Sequence, residues 1–296
     1  MKQLIQFRKQ RELGEILSDV FAFLRNEYKP FFSLILQIIL PYLILSFVSL
    51  AFLLYTFGDF SSLITSESSP FEADGLNLLM LSASGLVLAI CGILVYVYSY
   101  SATLHYIKSY IENNGIVKPD IVKNTVKQTL WSFIGLSILR GFALFIGLML
   151  CIIPGLYLIV PMSVVFCIMI FEQKSVIDAF SDSFTFIKNE WLMSFLVLFV
   201  AFIIITVIGG VLNLPTTIYT YIKMGIFSGE FDAASNPLGF YKDPIYIVLN
   251  LIGYAFKFFL NFVIIIVTVF IYFNINEKKN FTGTFEQIEA LGNTAP

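Results

Sequence analysis

Six apolar stretches divide this chain, and most are long enough to cross a bilayer. They are Phe31–Phe57, Leu78–Ser101, Trp131–Ile153, Leu156–Phe171, Trp191–Leu212 and Ile245–Phe273, the fourth being the shortest. A helix needs about 20 such residues to span the hydrocarbon layer, where every backbone polar group must be satisfied within its own segment. The sequence therefore predicts an all-α polytopic membrane bundle of about six transmembrane helices. A single integral membrane domain, 1–296, accounts for the length. Composition points the same way. The chain is 58% hydrophobic and 13% charged, whereas soluble domains carry about a quarter charged residues. Its 32 Phe and 15 Tyr suit lipid-facing surfaces and interfacial belts. A net charge of −2 offers no basic surface for nucleic acid.

Loop charge sets the expected orientation. Arg8, Lys9, Arg11, Arg25 and Lys29 precede the first span, and Lys108, Lys118, Lys123 and Lys127 separate the second from the third. Lys174 and Lys188 separate the fourth from the fifth, and Lys278 and Lys279 follow the sixth. The alternate loops hold only Lys223 and Lys242. The positive-inside rule then places both termini in the cytoplasm of a multi-pass protein of the bacterial inner membrane. No apolar h-region opens the chain, so a signal peptide is not expected. Cys91, Cys151 and Cys167 lie in apolar runs and read as buried, reduced thiols. In "CIIPGLYLIVP", Pro154-Gly155 predicts a tight turn between the third and fourth spans. The outer stretches "SSLITSESSPFEADG" and "MGIFSGEFDAASNPLGFYKD" read as irregular loops, and Thr282 onward as a short helix with Phe285, Ile288 and Leu291 on one edge.

One phrase occurs twice. "SDVFAFLRNEY" at Ser18–Tyr28 returns as "SDSFTFIKNEW" at Ser181–Trp191, 163 residues later, with six of eleven positions identical. Each copy precedes a span and is amphipathic at helical spacing, through Leu13, Ile16, Leu17, Val20 and Leu24, and through Val176, Ile177, Phe180, Phe184 and Ile187. "KPDIVKNTVKQTLW" is a diverged third version, with Ile121, Val122, Val126 and Leu130 on one face and Pro119 suited to a first helical turn. The chain thus parses into three parallel units, 8–115, 118–172 and 174–283, each an interfacial amphipathic helix followed by a two-span hairpin. Asp19 and Asp182 are expected to face water or cap backbone amides.

The repeat, together with "IIPGLYLIVPMSVVFCIMIFEQKSVIDAFSDSFTFIKNEW", resembles bacterial integral membrane proteins similar to the membrane domain of glycerophosphoryl diester phosphodiesterases. The positions that carry the resemblance are Pro154, Gly155, Glu172, Ser175, Asp178, Ala179, Phe180, Ser183 and Trp191. It implies a helical membrane module. Hydrolysis of that type needs metal-binding carboxylates and histidine acid–base groups, and the chain has one histidine, His105, which reads as a surface group near a span end. The expectation is a non-enzyme, with no cofactor and no metal site.

The polar residues inside the spans carry the functional reading. Arg140 lies nine residues after Trp131, about 14 Å into the third span. A guanidinium at that depth costs at least about 2.5–3.5 kcal/mol to insert. On the sixth span Asn250, Tyr254, Lys257 and Asn261 recur at intervals of four, three and four and share a face. No Asp or Glu lies within a predicted span. One reading is an intramembrane site for a lipid or other anionic amphiphile that the protein binds or moves. The other has Lys257 snorkelling to water and Arg140 bonded to carbonyls freed near Pro161 or Pro41. Asn213 and Asn274 read as interfacial. Membrane lipids are the expected partners. The alternative is a structural subunit or assembly factor that docks a membrane protein or a second copy through its interfacial helices. Ser82, Ser84, Gly85, Gly135, Gly141, Gly209 and Gly210 offer close helix approach.

Overall fold

The structure is a computed structural model that describes residues 4–65, 75–225, 239–285 and 288, with side chains placed to residue 58 in the first stretch. Among the described residues seven α-helices carry the fold: α1 Leu13–Thr65, α2 Gly75–Glu112, α3 Pro119–Leu150, α4 Ile152–Phe171, α5 Val176–Ile187, α6 Trp191–Lys223 and α7 Pro244–Asn280. All but α5 are long and apolar enough to cross a membrane; five of the predicted spans each lie within one of them, while the third, Trp131–Ile153, overruns α3 and ends in the first turn of α4. The protein is an all-α, multi-pass integral membrane protein. Large apolar side chains such as Leu150, Ile153, Phe202 and Val211 stand exposed along these helices, as expected where lipid is the solvent.

The amphipathic segments do not all form separate helices. Only α5 is detached. Leu13–Tyr28 runs on without interruption into the first span, giving a helix of 53 residues, about 80 Å long. The third version likewise opens α3 directly, with Pro119 at its first position, where no helical bond is lost. The predicted turn is also displaced. Pro154-Gly155 lies within the first turn of α4, and the reversal is made by Cys151 alone, in extended conformation. Pro154 is tolerated there because the first-turn amides have no intrahelical partner. Cys151 is consequently exposed, while Cys91 and Cys167 are buried as expected. Ser61–Thr65 continues α1, and Gly239–Lys242 is a 3-10 turn. The remainder of both outer loops, and Leu291, lies outside the described residues.

The chain forms two compact units, with α3, α4 and α5 wholly in the first and α1, α2, α6 and α7 contributing to both. The first comprises Met1–Ile38, Val97–Ile204 and Phe262–Pro296; the second comprises Ile39–Tyr96 and Ile205–Asn261. In the first, α3 and α4 meet at Gly147 and Gly155. A Cβ on Gly155 would stand 3.2 Å from the Cα of Leu148, and one on Gly147 would stand 3.3 Å from the Cα of Gly155. These are the glycines that permit close approach; Gly135, Gly141 and Gly210 have nothing within 4 Å. In the second unit Ser49 donates to the Ser84 carbonyl at 2.7 Å, joining α1 to α2. There Gly253 makes room for Asn213, whose Oδ1 would lie 2.8 Å from a Cβ. Asn213 is thus a packing residue of the α6–α7 pair.

The two related segments share local geometry. Glu12 and Glu15 form one capping pair, the Glu12 amide donating to Glu15 at 3.1 Å. Ser175 and Asp178, 163 residues on, form another, the Asp178 amide donating to Ser175 Oγ at 3.3 Å. Arg11 pairs with Asp19 at 2.7 Å, and Lys174 pairs with Asp182 at 2.8 Å, again 163 residues on. The aspartates therefore anchor cations from the preceding turn. Ile16 and Val20, and their counterparts Ala179 and Ser183, are all buried.

Candidate functional site

The residues singled out from the sequence fall into both units. Arg140 belongs to the first; Asn250, Tyr254, Lys257 and Asn261 belong to the second. Arg140 is half-buried on α3. Its Nη1 donates to the Tyr100 hydroxyl at 3.4 Å, and its guanidinium lies 5.6 Å from the ring centroids of both Tyr100 and Phe166. Those rings come from α2 and α4, with centroids 4.8 Å apart. A cation against two π faces is stabilised by their quadrupoles. On α7, Asn250 donates back to the Tyr246 carbonyl at 2.9 Å, an intrahelical bond. The exposed Lys257 ammonium lies 5.3 Å from the Tyr254 ring centroid, and Asn261 is half-buried. His105 is buried, with Nε2 3.1 Å from Thr129 Oγ1 on α3, and so is not the surface group its position suggests.

A cavity of about 500 Å³ opens elsewhere in the first unit, where α2, α4 and α7 end. Arg8, Lys108, Glu112 and Glu172 supply charges of both signs to its lining, and Phe171, Tyr272 and Phe273 supply aromatic wall. Lys108 donates to the Ile170 carbonyl at 3.2 Å, bridging α2 to α4. Tyr272 donates to Glu172 at 3.3 Å, and Lys174 holds the other carboxylate oxygen of Glu172 at 2.7 Å. The Lys174 ammonium, outside the spans, is held well above its ordinary pKa by Asp182 first and Glu172 second. Phe171 stacks on Tyr272 at 5.3 Å, which stacks on Phe186 at 5.2 Å.

Both terminal segments complete this cavity. Residues 4–11 pass over the helix ends and fold around one guanidinium. Arg11 is 4% exposed. It donates to Asp19 Oδ2 at 2.7 Å, to the carbonyls of Phe7 at 2.9 Å and Lys9 at 3.0 Å, and to that of Gln6. It also lies 5.0 Å from the Phe270 ring centroid. Its amide donates to Asn274 Oδ1 at 2.8 Å, so Asn274 is a buried anchor and not an interfacial residue. Phe7 is buried against Phe270, Phe23 and Tyr110. At the other terminus the buried Glu277 accepts from Thr282 Oγ1 at 3.1 Å, the Gly283 amide at 2.7 Å and the Thr284 amide at 3.0 Å. It thereby caps the residues that follow α7. A Cβ on Gly283 would collide with the Arg8 backbone, so the two segments meet closely. Arg8 and Thr282 face the cavity from this junction.

Sequence reasoning missed this site because its charged residues lie outside the spans, among flanking charges that read as orientation signals, while Phe171, Tyr272 and Phe273 close apolar runs that read only as membrane span. One signal was legible: Phe7 is a large apolar residue inside a basic run. No known family matches the chain, and no curated protein or solved structure gives a match.

Proposed function

We propose that this integral membrane protein is not an enzyme and binds the polar head of a membrane lipid in the cavity at the termini-side ends of α2, α4 and α7. The observation that carries the reading is the cavity itself. It is large enough for a headgroup, it combines fixed charges with an aromatic wall, and it lies at helix ends, where headgroups meet protein. Lipid binding accords with the resemblance to a membrane module and with the scarcity of acid–base groups. The Lys and Arg distribution supports a cytoplasmic side for the cavity. Arg140, on its wall of two rings, offers a deeper contact for an anionic part of the same class of ligand.

The test is lipid content after purification. Asn276 lines the cavity half-buried on α7, and Asn276→Phe fills part of the space. The variant is expected to lose co-purified lipid while keeping a cooperative thermal transition in detergent. Unchanged lipid content in a folded Asn276→Phe protein would refute the reading.

A further inference from the structure

Resting on that reading, we infer that the cavity selects a zwitterion: a primary ammonium joined to a phosphate, as in the phosphoethanolamine headgroup. Lys108 and Glu112 both line the cavity and lie four residues apart on α2, so they share one face of that helix. They do not close on one another. Lys108 reaches across to the Ile170 carbonyl on α4, so the cavity lining holds a cationic and an anionic side chain that do not neutralise each other. A two-carbon bridge likewise keeps the ammonium and phosphate of phosphoethanolamine from closing on one another. Arg8 joins Lys108 on the cationic side, while Glu172 is already held by Lys174 at 2.7 Å and by the Tyr272 hydroxyl at 3.3 Å, so the ammonium of a ligand falls to Glu112. A purely anionic head would meet the Glu112 carboxylate, and a trimethylated ammonium could not donate hydrogen bonds to it. The phosphate falls to Lys108 and Arg8, and the ammonium to Glu112.

The experiment uses the full chain in nanodiscs of phosphatidylethanolamine, phosphatidylglycerol and phosphatidylcholine in equal amounts. Bound lipid is counted by native mass spectrometry. The parent is expected to retain phosphatidylethanolamine above the other two. Glu112→Gln, an exposed position whose change leaves the fold intact, is expected to cut that preference about tenfold. Lys108→Gln is expected to weaken phosphatidylethanolamine and phosphatidylglycerol alike. Displacement of the retained lipid by soluble phosphoethanolamine would assign the cavity to the free zwitterion. Retention against that competitor would assign it to the lipid. Equal retention of all three lipids, or an unchanged preference in Glu112→Gln, would overturn the zwitterion and leave lipid binding standing. No retention of any lipid would overturn both.

Discussion

Arg11 and Lys174 occupy matched positions and hold matched aspartates, yet replacing each with Met should give very different results. The Arg11 side chain is 1% exposed and that of Lys174 is 36% exposed. Arg11 gathers Asp19 and three backbone carbonyls around a guanidinium that has left water. Hydrogen bonds to a charged group contribute ~1.5–3 kcal/mol each, but the three carbonyls belong to the segment itself and rehydrate when it lifts. The net loss for Arg11→Met is therefore about 3 kcal/mol, since Met still fills space against Phe270. Burial of Phe7 contributes only ~2 kcal/mol towards keeping residues 4–11 in place. The segment should detach while the helices stay folded. Hydrogen–deuterium exchange reads this directly, because the Ile5 amide donates to the Tyr110 hydroxyl at 3.2 Å and the residue-11 amide donates to Asn274 at 2.8 Å. Exchange across residues 4–11 should accelerate about 100-fold, since each 1.4 kcal/mol is a decade. Lys174→Met removes screened pairs worth less than ~1 kcal/mol, and the first turn of α5 should change less than about fivefold. Parent-like exchange of residues 4–11 in Arg11→Met, or a larger effect from Lys174→Met, would show that burial does not set the difference.

Three further outcomes are expected. Gly155→Val forces a side chain against the Leu148 backbone, whose Cα would stand 3.2 Å from the new Cβ, and should cost ~1–3 kcal/mol, read as a lower thermal midpoint in detergent; an unchanged midpoint would refute close α3–α4 packing. Asp243, just before α7, has its carboxyl lowered to about 2, by Lys223 at 2.8 Å first and the Tyr219 hydroxyl second. Because the folded value lies below the unfolded one, its contribution is present above about pH 4 and is lost as pH falls through about 2; a carboxyl NMR titration with a midpoint near 4 would contradict it. Arg140→Leu removes a cation from a span and should ease insertion by at least about 2.5 kcal/mol; unchanged lipid content together with higher stability would show that Arg140 serves no ligand.

The spans were legible because a stretch of about 20 apolar residues has few alternatives to a membrane helix. Five of the six lie within single helices and the third overruns the end of α3 by three residues, and the amphipathic segments before the spans were recognisable at spacings of three and four. What escaped was tertiary. The basic run before α1 gives no hint that Arg11 turns inward, because burial of that guanidinium depends on oxygens from Gln6, Phe7, Lys9 and Asp19 arriving together. Asn274 looked interfacial by its place near a span end, yet its partner is an amide 263 residues away. Arg140 was found by its depth in the span. The aromatic wall beneath it could not be, since Tyr100 and Phe166 come from different helices.

The repeated phrase shows how tertiary contacts choose between two backbones for one local sequence. The copy that carries a proline, Pro30, continues as one helix, while the copy with Met193 in its place breaks. Propensity alone predicts the reverse. The break is tolerated in the second copy because its ends are satisfied by other helices. The Lys279 ammonium donates to the carbonyls of Phe186 at 2.8 Å and Thr185 at 3.4 Å, which would otherwise be orphaned at the end of α5. Lys278 holds Glu190 at 2.8 Å within the turn, and the Trp191 indole donates to the Tyr157 carbonyl at 3.1 Å. At the matched site of the first copy, Glu27 is buried and accepts from the Tyr106 hydroxyl at 3.0 Å, while Tyr28 is exposed. That arrangement ties the helix to α2 without ending it. The cap is therefore the deciding difference, and Lys279→Met should shift the second copy towards the continuous form. A helical amide pattern in exchange across Lys188–Glu190 would reveal it, and an unchanged turn would assign the break to Trp191 instead.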